Sequence, residues 1–450
     1  MNRLIVDLIL SRAKAYVGNR VRTCDLAIDG GEIFKIGKSQ NMPKAECKID
    51  LENKLVLPGL IDCHVHLRDQ GKAYKEDFYT GTAAAAAGGV TTVLDMPNNE
   101  PVTMSAEALN RRMELSEGRK LVDVGFYSEF PRDSNQIKDI VREGVIAFKL
   151  YLAEKIGGLN LEDDNYLRKV FETVSRLKIP VAVHAEDRTT IKKARDQIKN
   201  KRNSGIKAFL KVHSEEAEVT AIKRMLKIAD QTNAKLHFCH LSTEEGLKNI
   251  VSAKTSGMAI TCEATPHHLF LSTRDLMRIG LSALTTPPFR DKHHLSVLWE
   301  GIQKGWIDIL ASDHAPHTIT EKKGNSVWEV EAGVPNLETM LPLLLTSVKR
   351  NRLSIAEIAS LFSEKPARIF GLKKKGCLKE GNRADLVVVD LNEEYEIDAS
   401  EFHSKAKYSP FEGWRVEGKP VKTFVGGKLV MEEGKTTGRT PGRTIRGRNA

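Results

Sequence analysis

Between residues 55 and 317, short apolar runs alternate with longer stretches whose apolar residues return every three or four positions. The first kind reads as buried strand and the second as amphipathic helix. Eight strand candidates stand out, at residues 55–66, 90–97, 121–130, 147–151, 181–186, 236–242, 259–267 and 308–317. Helical periodicity lies between them, at 78–88, 105–118, 166–177, 215–232 and 244–255. Eight such units predict an α/β chain folded as a (β/α)8 TIM-like barrel. A doubly wound sheet is the competing architecture. It calls for a glycine-rich phosphate loop after the first strand, where His64-Val65-His66 stands instead.

The flanks are patterned differently. Residues 21–36 give two strand-like runs around Asp29-Gly30-Gly31, a hairpin signal. Beyond about residue 375 further strands follow, in Ala384-Asp-Leu-Val-Val-Val-Asp390 and at 421–430. This predicts one small β-rich domain built from both termini, from residues 1–58 and 373–434, around a barrel of residues 59–372. Residues 435–450 read as a basic, flexible tail.

Composition changes this picture little. No apolar run is long enough to span a membrane. The N-terminal Met1-Asn-Arg-Leu-Ile-Val-Asp7 lacks the features of a signal peptide. Six cysteines, Cys24, Cys47, Cys63, Cys239, Cys262 and Cys377, show no framework spacing and read as reduced thiols of a cytoplasmic protein. The net charge is +10, and the last seventeen residues supply half of it through Lys435, Arg439, Arg443, Arg446 and Arg448, with no acid. Such a segment could attract nucleic acid, but a solvated terminus accounts for it more simply.

The chemistry collects where a barrel puts it, at the C-terminal ends of the strands. The first ends in His64, His66 and Arg68, the second in Asn98, and the fourth carries Lys149. The fifth ends in His184, the sixth in Cys239-His240, the seventh in Cys262-Glu263 and Pro266-His267-His268, and the eighth in Asp313-His314 and His317. His64 and His66 share a strand face and can chelate one divalent metal. His184 and His240 can hold a second. A pair of cations needs a bridging anion, and the fourth strand offers only Lys149. Carboxylated by CO2, its nitrogen becomes a carbamate with two oxygens. Asp313 can complete the first site and accept a proton from an attacking water.

On these residues the sequence resembles the amidohydrolase superfamily and, within it, the dihydroorotases. The motifs are Gly59-Leu-Ile-Asp-Cys-His-Val-His-Leu-Arg68, Asp95-Met-Pro-Asn98, Phe148-Lys-Leu-Tyr151, Val183-His-Ala-Glu186, Phe238-Cys-His-Leu-Ser242, Thr261-Cys-Glu-Ala-Thr-Pro-His-His-Leu269 and Ala311-Ser-Asp-His-Ala-Pro-His317. Lys365-Pro-Ala-Arg-Ile-Phe-Gly-Leu372 and Asp385-Leu-Val-Val-Val-Asp390 also belong to the pattern, which runs from about residue 3 to 430.

The resemblance implies two zinc ions. One would be held by His64, His66 and Asp313, the other by His184 and His240, with carboxylated Lys149 between them. It implies that Asp313 is catalytic and that His66, Arg68, Asn98 and His317 meet the substrate. Some relatives hold a further zinc at positions matching Cys239 and Glu263; a buried thiol and an acid that orients a ligand is the alternative. The reaction implied is the interconversion of N-carbamoyl-L-aspartate and L-dihydroorotate in pyrimidine synthesis. Self-association, or association with an aspartate transcarbamoylase, is left open.

Two departures from the family pattern stand out. Thr286 precedes Pro287-Pro288 where the family tends to have Asn, and Arg68-Asp69-Gln70-Gly71 replaces the usual Arg-Glu-Pro-Gly. Ala332-Gly333-Val334-Pro335 resembles a stretch that lines the substrate pocket. Rival readings are an allantoinase or hydantoinase using the same metals, a silent scaffold for a transcarbamoylase, and a nucleic-acid binder acting through its tail. His237, His293 and His294 have no evident partner in the sequence.

Overall fold

The computed structural model describes residues 5–199 and 205–447. The start of the N-terminal run and Arg448 of the basic segment lie outside the described residues. Eight parallel strands form one sheet in chain order: Leu60–Val65, Val90–Asp95, Asp123–Glu129, Ala147–Tyr151, Val181–His184, Leu236–Phe238, Ile260–Ala264 and Ile309–Leu310. An isolated parallel bridge from Val65 to His314 nearly closes the ring, and the His66 N–H donates to the His314 carbonyl at 2.8 Å. Nearly every barrel-strand residue is buried, as expected of parallel strands covered on both faces.

Helices Phe78–Ala87, Ala106–Ser116, Asp164–Arg176, Glu215–Thr232 and Glu244–Thr255 fall where the periodicity places them. Each starts on a side chain that accepts a backbone N–H: Asp77, Ser105, Asp163, Ser214 and Thr243. Among the described residues no helix is long and apolar enough to cross a membrane.

A second sheet joins the termini. Ile5–Val17, Arg20–Asp29, Glu32–Gly37, Lys44–Asp50 and Leu55–Pro58 come from the N-terminal side. Leu386–Glu396, Arg415–Val425, Lys428–Glu432 and Lys435–Thr436 come from the C-terminal side. The halves meet where Leu55–Pro58 pairs antiparallel with Leu386–Glu396, Leu57 opposite Val387. The hairpin turns at Gly30 and Gly31, with φ of 56° and 81°, a conformation glycine adopts without Cβ strain.

Three differences from the sequence reading have physical causes. The apolar run at 55–66 is two strands in two sheets, broken at Gly59. There the barrel presses on the chain: a Cβ at Gly59 would lie 2.2 Å from Thr91 Oγ1. The sixth and eighth barrel strands are much shorter than their apolar runs. Their continuations turn away at His240 and Asp313, where φ is 35° and 45°.

The third difference is the basic segment, which is not a free tail. Thr444–Ile445 pairs in parallel with Asp123–Glu129 on the side where Ala147–Tyr151 has not yet begun. Val124 N–H donates to Arg443 O at 2.9 Å, and Arg443 N–H to Asp123 Oδ1 at 2.7 Å. Ile445 packs on the cluster of Ile61, Leu94 and Tyr127 inside the barrel. Buried backbone groups must be paired, and this segment supplies partners that the barrel leaves open.

Deleting residues 443–450 should therefore unpair Val124 and uncover part of the cluster on which Ile445 packs. The expected loss is about 2 kcal/mol or more of stability, read as a lower melting temperature. An unchanged melting temperature would mean that the segment only rests on the surface.

Candidate metal centre

The strand ends converge on a cavity of about 730 Å³ lined by His64, His66, His184, His240, Asp313, Arg68 and Asn98, with Thr286, Ala332 and Gly333 on its wall. Lys149 lies beneath and is fully buried. Asp313 Oδ1 stands 3.3 Å from both His64 Nε2 and His66 Nε2. Ligand atoms of His64, His240 and Asp313 lie within 4.8 Å of one another. His184 Nδ1 and His240 Nε2 are 2.9 Å apart. The structure thus brings the four histidines and the aspartate of the sequence reading to one place.

What stands behind each ring decides which nitrogen faces inward. His64 Nδ1 is 2.5 Å from Glu263 Oε1, His66 Nδ1 is 2.7 Å from Asn98 Oδ1, and His184 Nε2 is 2.8 Å from Glu186 Oε2. Those oxygens can only accept, so these nitrogens carry protons. His64 Nε2, His66 Nε2 and His184 Nδ1 are left with lone pairs aimed at the centre. His240 Nδ1 is buried with no hydrogen-bond partner among the described residues.

Electrostatics agrees with a ligand set. Burial pushes His66 down to about 3, and burial and His184 hold His240 well below the usual imidazole range. Both are therefore neutral donors at pH 7. Burial alone would raise Asp313, but any proton on His64, His66 or His240 beside it outweighs burial and keeps the carboxyl well below its ordinary range, so Asp313 is the anionic member of the set. Neutral imidazole nitrogen and anionic oxygen at one point fit a divalent first-row metal.

Glu263 is the busiest acceptor. It takes His64 on one oxygen, together with the His240 N–H at 3.0 Å, and His237 Nε2 at 2.9 Å on the other. His237 thereby gains the partner its sequence context did not reveal. Burial alone would raise Glu263; the two imidazoles outweigh it and hold the carboxyl well below the usual range. Cys239 Sγ accepts from Lys149 Nζ at 3.0 Å, and burial pushes the thiol up to about 12. His64, Cys239 and Glu263 also form a compact group.

A second cluster sits on the cavity wall. Arg68, at a φ of 62°, is buried and sends its Nε to Pro316 O at 3.2 Å; its terminal nitrogen lies 3.2 Å from His317 Nε2. No carboxylate pairs with this guanidinium among the described residues. Asp95 props the turn that aims it. One carboxylate oxygen accepts the Leu67 N–H at 2.9 Å, and the other takes the buried Arg112 guanidinium.

Sequence reasoning missed several groups. Lys75 lines the cavity 3.1 Å from His317 Nδ1. The Tyr151 hydroxyl is buried beside the cavity, without a partner among the described residues. Its position two residues after Lys149, on the same strand face, was the available signal. Glu186 continues to His213 Nδ1 at 3.0 Å, a link between distant segments that no local pattern encodes.

Comparison with known proteins follows the same line. Residues 55–430 match the amidohydrolase family. The dihydroorotase of Methanothermobacter thermautotrophicus is 38% identical over 431 residues, 95% of each chain. That of Methanosarcina mazei is 37% identical over 418 residues, 90% of each. Among solved structures, the L-hydantoinase of Arthrobacter aurescens aligns over 98% of this chain and 100% of its own, with a TM-score of 0.94 and 31% identity.

Glu263→Gln keeps the shape but offers one acceptor where two imidazoles need one each. Retention of divalent metal should weaken about ten- to hundredfold, read by competition with a chelator. Retention equal to the parent would remove Glu263 from any role in orienting His64.

Proposed function

The chain belongs to the amidohydrolase family, and from that membership we propose that it works as a cytoplasmic dihydroorotase. It interconverts N-carbamoyl-L-aspartate and L-dihydroorotate, a step of pyrimidine synthesis. The observation that carries this reading over other cyclic amides is Arg68. A buried guanidinium without a carboxylate partner among the described residues, on the wall of a cavity whose floor is a ligand cluster, awaits an anionic ring.

His64, His66 and Asp313 would hold one zinc, and His184 and His240 the other, with the carbamate of Lys149 between them. Bound there, the ions would polarise the ring carbonyl and bring the pKa of a water to about 7. The chain's own residues do the rest. Arg68 and His317 grip the carboxylate and set the ring over the cluster. Asn98 spends its carbonyl on His66, which leaves its amide nitrogen for the ring. Asp313, held ionised, takes the proton of the attacking water and returns it to the leaving ring nitrogen. Cys239 and Glu263 act behind this set, Glu263 by orienting His64. The β-sheet of the two termini and the barrel are two domains, divided near residues 58 and 373.

Purified, zinc-loaded protein assayed side by side with dihydroorotate, allantoin and hydantoin tests the reading. Turnover confined to dihydroorotate supports it, and a preference for either uncharged ring overturns it.

Asp313→Asn keeps the shape and removes the base. Turnover should fall about a hundredfold or more in both directions while the melting profile stays cooperative. Near-parental turnover would dismiss the proton shuttle.

Lys149→Ala should lose the paired metals, seen by metal counting, and lose activity with them. A short added carboxylic acid should restore part of both. Two metals per chain and normal turnover in that variant would mean that another acid bridges the pair.

A further inference from the structure

Lys75 is absent from the metal cluster and from the motifs that mark it, yet it is only 5% exposed. Its ammonium lies between two groups. Glu321 Oε1 is 2.8 Å away and His317 Nδ1 is 3.1 Å away. Glu321 is itself fixed by Thr318 N–H at 2.9 Å and by the Tyr74 hydroxyl at 3.2 Å. The lysine is therefore held on His317 from behind.

An ammonium only donates, so the His317 Nδ1 facing it must present a lone pair. The Glu321 carboxylate cannot reverse this, because its nearer oxygen is 3.8 Å from Nδ1, too far to accept a hydrogen bond. The single ring proton then belongs to Nε2, and Ala332 O lies 3.1 Å from it to accept. Burial, Arg68 and Lys75 together hold this imidazole far below its ordinary range, so it stays neutral. A protonated Nε2 cannot accept from the Arg68 terminal nitrogen 3.2 Å away. Arg68 keeps only its Nε bond to Pro316 and faces the cavity with its fork uncommitted.

We propose that Lys75 is a positioning residue that fixes His317 in the Nε2–H form and so leaves the Arg68 guanidinium, with Nε2–H beside it, for the carboxylate of the substrate. This rests on the dihydroorotase reading above. Without Lys75, the imidazole can place its proton on Nδ1 and accept from Arg68. The guanidinium then turns inward to the protein, and binding must first break that bond.

The test is a nitrogen-15 spectrum of the zinc-loaded protein labelled on its histidines, with the His317 signals identified by their loss in His317→Asn. The parent should show a protonated Nε2 and a bare Nδ1. A protonated Nδ1 in the parent overturns the proposal, and this measurement needs no folded variant at Lys75. In Lys75→Met the two forms should mix. The KM for L-dihydroorotate should rise about ten- to hundredfold, with most of the loss in KM rather than in kcat. An unchanged KM, or a loss confined to kcat, also overturns it. If the parent does not convert dihydroorotate, the functional reading fails, while the spectrum still decides the tautomer.

Discussion

Three of the four imidazoles crowded into the barrel mouth have a nitrogen tied down from behind. A free ring in a closed site would leave a polar atom without a partner, and such an atom costs about 1–3 kcal/mol. Here Glu263, Asn98 and Glu186 take one nitrogen each from His64, His66 and His184. The remaining nitrogens have one direction left, towards Asp313 and one another. His240, whose Nδ1 finds no partner among the described residues, is held instead by its backbone N–H on Glu263. The ligand geometry thus follows from acceptors behind the rings, Glu263 on a barrel strand and Asn98 and Glu186 just past the ends of theirs.

The same logic governs the seam between the two sheets. Asp123, on the third barrel strand, meets Lys375 at 2.8 Å and Arg383 at 3.0 Å. Both cations also pair with Asp385. All four groups are largely buried, so none can lose its partner cheaply. Arg443 N–H closes the remaining side of Asp123. The segment of residues 443–447 is therefore held by the charge cluster that clasps barrel to small sheet. Its basic composition suggested a solvated end because composition cannot register a backbone partner 320 residues away.

Much of the barrel was legible in the chain because its signal is local and repeated. Each strand is a run of apolar residues, many of the helices start on a side-chain cap, and each candidate ligand lies on its strand or shortly past its end. The limits of that reading are equally physical. Residues 55–66 look like one strand because Leu and Val suit both sheets; only the pressure of Thr91 on Gly59 splits them. The pairing of His237 with Glu263 depends on strand order in the ring, and that of Glu186 with His213 on where the helix Ile206–Val212 packs. Lys75 lies in a polar stretch between a strand and a helix, where a lysine ordinarily means solvent. Burial turned it into something else, and burial is a property of the whole fold.

This separates two layers of the site by how they can vary. Metals held by this cluster would treat every cyclic amide alike, because they would address only the carbonyl and the water. Discrimination has to come from the part of the ring that differs, and for an anionic ring that is a carboxylate. A guanidinium recognises it well only when nothing in the protein competes for its fork. Burying an uncommitted cation is costly, and the wall around Arg68 offsets that cost with the Pro316 carbonyl while keeping acids away. Glu321, on the same cavity wall, is occupied by Lys75 and Thr318. On the proposed reading, the charge that would select the substrate is thus protected by the Lys75–Glu321 pair, which neither metal nor substrate would need to touch.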